Sequence, residues 1–271
     1  MPKKAVKAYK NPAFLNSSDA RTLRILSEYI EPAARFRQLN VKDTIVFYGS
    51  ARVTDGETAK KRYDLWKKRY KEEPTEEHKK ELKLAEMRHK MSRFYDDARE
   101  LARLLTQWSI SLKNSHHRFL VCSGGGPGIM EAINRGASDV PGGKSIGLNI
   151  SIPMEQDPNQ YITPDLNFEF HYFFMRKFWF VYLAKALVIF PGGFGTMDEL
   201  WEVLTLLQTR KTQKKMAVVL YGEEYWRNVI NFPYMVDHLV IDEDDLSLFH
   251  FSDNPQEAFE YLRDKLTEAF L

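Results

Sequence analysis

Residues 186–199 read ALVIFPGGFGTMDE and continue as LWEVLTLLQTRK. The apolar, β-branched run predicts a strand, the glycines a tight turn, and the spaced leucines beyond them a helix. FLVCSGGGPGIMEAINRGA at 119–137 repeats the same order. Further strands are expected in TIVFYGSAR (44–52), KSIGLNISI (144–152) and MAVVLYG (216–222). FEFHYFFMRKFWFVYLAKA (168–186) begins as a strand and becomes an aromatic helix, and NPQEAFEYLRDKLTEAF (254–270) is an amphipathic helix. Strands alternating with helices predict a Rossmann-like, doubly wound α/β fold, its parallel sheet covered on both faces.

With 271 residues and neither repeats nor an obvious linker, one domain over 19–271 is expected, behind a loose N-terminal arm at 1–18. Asp19 is a candidate cap for a helix over 19–39, with Leu23, Leu26, Ile30 and Ala34 at helical spacing. The stretch 54–90 is densely charged and of mixed sign, which predicts an inserted pair of solvated helices. The second would start near Pro74 and run on through MSRFYDDARELARLLTQWS. Tyr63, Trp66 and Tyr70 form an aromatic stripe that needs cover, which suggests a role in assembly or in closing over a site.

Charge excludes some partners. Lys and Arg number 39 against 37 Asp and Glu, so a net charge of +2 gives no reason to expect nucleic acid. Cys122 is the one cysteine, so no internal disulfide can form. No apolar run approaches the roughly 20 residues that span a bilayer, and the basic start MPKKAVKAYKNPAF lacks the apolar stretch of a secretory signal. A cytoplasmic protein without a membrane partner is expected. His116 and His117 lack metal-ligand spacing to other residues, His171 reads as a strand residue, and DEDD at 242–245 reads as a solvated turn or helix start. No metal is expected.

Glycine turns that open helices suit anions, because the first N–H groups of a helix have no partner inside it. The usual nucleotide fingerprints are missing: G-x-G-x-x-G would need glycine at Asp198 or at Ile129. Glu199 is ambiguous. Thr196-Met-Asp-Glu199 has the spacing of a capping box, in which Thr196 and Glu199 only close a helix end. A carboxylate beside a phosphorylated sugar could instead orient water, or stabilise positive charge growing on the ring.

PGGFGTMDE resembles the P-G-G-x-G-T-x-x-E motif of the Lonely Guy family, whose members are often labelled lysine decarboxylases. FMRK at 174–177 resembles its Met-x-x-Arg-Lys element, although the methionine stands directly before the arginine. FYGSAR and CSGGGPGIMEAINRGA resemble its other ligand-facing turns, and the longer chain resembles the family's longer subgroup. The resemblance implies hydrolysis of the N-glycosidic bond of nucleoside 5′-monophosphates, AMP or cytokinin riboside monophosphates, to a free base and ribose 5-phosphate. It implies no cofactor and a homodimer or larger homo-oligomer. Arg176 and Glu199 would be catalytic. Gly192, Gly193, Gly195, Thr196 and Ser50 would hold the phosphate, and Gly125, Gly126 and Gly128 would border the phosphate or ribose. Met130 and Met175 would touch the base, and Lys177 the substrate. A decarboxylase would need pyridoxal phosphate on a lysine, and Lys177 and Lys185 read as plain helix residues. A non-catalytic nucleotide- or cofactor-binding protein of the same fold is the second reading. A dinucleotide oxidoreductase, disfavoured by the glycine spacing, is the third.

Overall fold

The structure is a computed structural model that describes residues 5–112, 117–152 and 157–271. Seven strands form one sheet: β1 (Thr44–Tyr48), β2 (Leu120–Ser123), β3 (Ser145–Ile150), β4 (Asn167–Phe170), β5 (Ala184–Ile189), β6 (Ala217–Tyr221) and β7 (His250–Ser252). All neighbours pair in parallel, in the order β4-β3-β2-β1-β5-β6-β7. The chain winds outward from β1 to β4, then crosses back to the other side of β1 with β5. Strand order therefore reverses between β1 and β5, and the crevice at their carboxyl ends is where such sheets hold ligands. The pairing extends into both turns: Phe190 N–H donates to the Tyr48 carbonyl at 2.8 Å and Ser50 N–H to the Pro191 carbonyl at 3.0 Å.

Parallel strands are buried on both faces, which is why these runs are almost uniformly apolar. Val46, Tyr48, Leu187 and Ile189 enter one core, and Ile45, Phe47, Val188 and Phe190 the other. Eleven helices are described: α1 (Pro12–Leu15), α2 (Arg21–Gln38), α3 (Gly56–Glu72), α4 (Glu76–Met91), α5 (Arg93–Ser111), α6 (Ile129–Ser138), α7 (Phe173–Tyr182), α8 (Phe194–Gln208), α9 (Glu223–Val229), α10 (Phe232–Asp237) and α11 (Pro255–Phe270). Helices α2, α7, α8, α9 and α10 contribute to the first core, and α5, α6 and α11 to the second.

Several local expectations need correction. The cap of α2 is Ala20 rather than Asp19, with no side-chain hydrogen bond. Its buried residues are Pro32 and Phe36, while Leu23, Leu26 and Ile30 are exposed. The charged insertion is a hairpin of α3 and α4, but α4 does not continue as one rod. It ends at Met91, Ser92 donates its hydroxyl to the His89 carbonyl, and α5 starts at Arg93. The aromatic stripe is met by the hairpin's own second helix: Tyr63 stacks on His89 at 5.7 Å, and Trp66 lies 5.9 Å from His78. Lys185 lies in β5 rather than a helix. His171 lies past the end of β4, exposed, its N–H donating to Glu28. In the arm at 1–18, α1 is tied to α2 by Arg24, which donates to the Leu15 and Ser17 carbonyls.

Candidate active site

A cavity of about 590 Å³ opens at the carboxyl ends of β1 and β5. Its wall comes from five places: the end of β1 and its turn (Phe47 to Arg52), Gly124 and Met130 of the second glycine unit, Arg176 and Phe180 of α7, residues 192–197 with Glu199, and Tyr225 of α9. The volume is within the ordinary range for small-molecule sites, about 300–1,000 Å³.

The turn after β5 builds one end. Gly193 is the N-cap of α8, and no side chain caps the helix. The N–H groups of Phe194, Gly195 and Thr196 therefore lack intrahelical acceptors. A Cβ placed on Gly193 or Gly195 would meet nothing within 4 Å, so this backbone is open to a close ligand. The Tyr225 hydroxyl donates to the Gly192 carbonyl at 2.7 Å and braces the turn from outside. An uncapped helix end with free N–H groups suits a phosphate.

The capping-box reading of Thr196 and Glu199 fails. Because α8 already starts at Phe194, Thr196 is its third residue and Glu199 its sixth, beyond reach of the free N–H groups. The Glu199 side chain is only 6% exposed, and its Oε2 has no hydrogen-bond partner among the described residues. Arg176 Nη2 stands 4.0 Å from Oε1, and Lys177 Nζ stands 3.7 Å from Oε2. Burial pushes the Glu199 carboxyl up to about 7, although Lys177 and Arg176 pull it down. The Arg176 guanidinium carbon lies 5.4 Å from the Phe173 ring and 5.5 Å from the Phe180 ring, and its Nε has no partner among the described residues. Burial lowers its pKa and the Glu199 charge raises it. A carboxyl that titrates near neutrality beside a fixed cation, deep in a cavity with an anion-binding end, can accept a proton from water or stabilise a cationic sugar ring.

Of the residues expected at a site, the cavity brings together Ser50, Met130, Arg176, Gly192, Gly193, Gly195, Thr196 and Glu199. Five others are not on its wall. Gly125 has φ +74°, and a Cβ there would fall 2.1 Å from Asn149 Oδ1, so this glycine serves packing. Gly126 accepts from Asn159 Nδ2 at 3.1 Å through its carbonyl. Gly128, at φ +73°, lets the second glycine turn lie on the first, where Ile129 N–H donates to the Ser50 carbonyl at 3.1 Å. Met175 is buried in the core, 8% exposed. Lys177 is held by Asp198 and Glu202, each at 2.9 Å.

Sequence reasoning missed Tyr48, Arg52, Gly124, Phe180 and Tyr225. Arg52 could have been found, since it follows Ser50 in the same turn, whereas Tyr48 and Phe180 look like core residues of a strand and a helix. Among the described residues no group of His, Cys, Asp and Glu has metal-site geometry. His116 lies outside the described residues, and His117 Nε2 is 3.0 Å from Lys144 Nζ. The 242–245 run starts a 3-10 helix through a reciprocal Asp242–Asp245 capping box. Among the described residues no lysine lines the cavity, so these walls do not fit a pyridoxal group bound as a Schiff base. No described helix is long and apolar enough to cross a membrane.

Residues 130–262 match the family model described as "Possible lysine decarboxylase", a span that includes both Arg176 and Glu199. None of the curated proteins matches the chain. Among solved structures, the chain is similar to the molybdenum cofactor binding protein from the phototrophic bacterium Rippkaea orientalis. The two are 18% identical with a TM-score of 0.43, over 63% of this chain and 86% of that one, and at that level the likeness carries no argument. The match to the family described as possible lysine decarboxylase thus covers just under half of the chain, and within it lies the PGGFGTMDE motif that resembles the Lonely Guy family.

Proposed function

We propose that this protein hydrolyses the N-glycosidic bond of nucleoside 5′-monophosphates, AMP or a cytokinin riboside monophosphate, to the free base and ribose 5-phosphate. The observation that carries the reading is the buried Arg176–Glu199 pair, with one unpartnered atom on each side chain, below an uncapped helix end. The free N–H groups of α8, with the Ser50 and Thr196 hydroxyls, hold the 5′-phosphate. Its distance from the reacting bond lets binding energy gained there position the sugar. As the C1′–N bond breaks, its electron pair leaves with the base and positive charge grows on the ring. Glu199 faces that charge and takes the proton of the water that adds to C1′; the departing base takes up a proton from solvent and Glu199 returns its own there, so neutral base and carboxylate are both restored. Arg176 keeps the carboxylate oriented and available in its ionised form. Met130 and Phe180 offer an apolar wall to the base. The functional unit in this reading is a homodimer.

Adenine release from AMP and from adenosine tests the assignment. AMP is expected to show the higher kcat/KM by at least two orders of magnitude, roughly the 2–3 kcal/mol of a few charge-assisted hydrogen bonds. Equal kcat/KM for the two would contradict the phosphate role of residues 191–196. AMP binding with no adenine release would leave a binding module of the same fold.

A further inference from the structure

Tyr48 is the last residue of β1 and lines the cavity, yet its side chain is buried, 6% exposed. Its ring meets Phe180 edge-on at 5.0 Å. Its hydroxyl has no hydrogen-bond partner among the described residues. Among the described residues six buried side-chain polar atoms lack a partner, and three of them, on Tyr48, Arg176 and Glu199, belong to this one cavity. A buried hydroxyl without a partner is costly. Packing alone would be served by phenylalanine, as Phe47 serves the opposite face of the same strand. All three atoms are covered in the ligand-free structure, so the clustering points to a ligand whose entry shifts the side chains over them and supplies the missing partners.

The hydroxyl's surroundings narrow the choice of partner. Glu199 and Glu202 of α8, Arg176 of α7 and Cys122 of β2 are the ionisable groups around it. Burial, and then the Glu199 charge, pushes the phenol well above its ordinary value, so the hydroxyl stays protonated and neutral. A neutral hydroxyl can both donate and accept, and it matches another hydroxyl better than it matches a phosphate. Resting on the nucleotide reading above, we propose that the Tyr48 hydroxyl hydrogen-bonds the ribose 2′-hydroxyl of the bound nucleotide, making Tyr48 the residue that selects ribonucleotides over deoxyribonucleotides. The 2′-carbon adjoins the anomeric carbon, and Tyr48 and Glu199 line the same cavity.

The test is a cycle of AMP and 2′-deoxy-AMP against wild type and Tyr48→Phe, read as kcat/KM, with calorimetric affinities in parallel. Wild type is expected to prefer AMP by roughly tenfold or more. Tyr48→Phe should lose most of that preference by weakening AMP alone, while the ligand-free melting temperature stays the same or rises, since no protein hydrogen bond is lost. An unchanged AMP-to-deoxy-AMP ratio overturns the inference. So does a parallel loss on both nucleotides with a lower melting temperature, which marks a packing role. If wild type binds AMP without turnover, the hydrolase reading fails alone, and the ratio of affinities still decides the role of Tyr48.

Discussion

Glu199 is held where its charge is disfavoured, and this has a consequence for stability. Its carboxyl titrates at about 7 in the folded chain, against an ordinary value of 4.5. Between those values the folded state holds a proton that the unfolded state has released, so folding stability falls as pH rises. The stabilisation from this group is complete below about pH 4.5 and lost as pH passes 7. Glu199→Gln keeps the shape without the charge. Its melting temperature relative to wild type should therefore climb between pH 5 and pH 8, by roughly 2–4 °C for each kcal/mol of relieved burial. Calorimetry at several pH values checks this, and a difference that stays constant with pH would contradict the shifted carboxyl. At this scale the sequence was legible where side-chain type is unusual for its place. Arg176 in an aromatic helix and Glu199 after a glycine turn stand out. Tyr48 does not, because a tyrosine at the end of an apolar strand looks the same whether its hydroxyl is satisfied or not. Gly125 and Gly128 show the converse limit: a glycine that packs closely on its neighbours has no mark in the sequence that separates it from one that faces a ligand.

Helices α2 and α7 pack side by side and leave an apolar face uncovered. Leu23, Leu26, Tyr29 and Ile30 on α2 are 46–58% exposed, and Phe173, Phe174, Phe178 and Tyr182 on α7 are 36–53% exposed. The Tyr29 and Phe178 rings lie 5.5 Å apart, which joins the two rows into one patch. Its exposed side-chain area is on the order of 800 Å², what each partner contributes to a standard stable interface. A second copy of the chain fits that area, and α7 would then carry the contact on one face and Arg176 on another. Light scattering is expected to give a dimer, and Leu26→Asp with Phe178→Asp a monomer. A monomeric wild type at micromolar concentration, or a doubly substituted chain of unchanged mass, would contradict the dimer. The helix of α2 was legible from its spacing, but its buried face was not, because the exposed apolar stripe imitates a core stripe. The three residues of β7 are too few to show a period. The join of α4 and α5 hides in a run of good helix formers, and only the local turn at Ser92 separates them. The inserted hairpin was legible as two charged helices, and none of its residues lines the cavity.

Across the whole molecule, the site exists because the sheet reverses its strand order. Tyr48 and Ile189 are paired neighbours in the sheet although far apart in the chain, and the turns that follow them face each other across one crevice. Alternating strands and helices made a doubly wound sheet readable, and glycine turns made its ligand end readable. Strand order was not, since it depends on contacts between segments that carry no local signature of each other. The consequence is a division of labour across the crevice: the start of α8 offers free N–H groups, α7 offers a cation, and the second turn of α8 offers the carboxyl. The central claim is that this carboxyl does chemistry and does not merely support a fold. It is tested most directly by Glu199→Gln, measured for adenine release from AMP and for AMP affinity in the same preparation. The account predicts turnover lower by at least about a thousandfold, consistent with the loss of charge stabilisation at a reacting centre, with affinity within a few-fold of wild type. Turnover near the wild-type rate would contradict it.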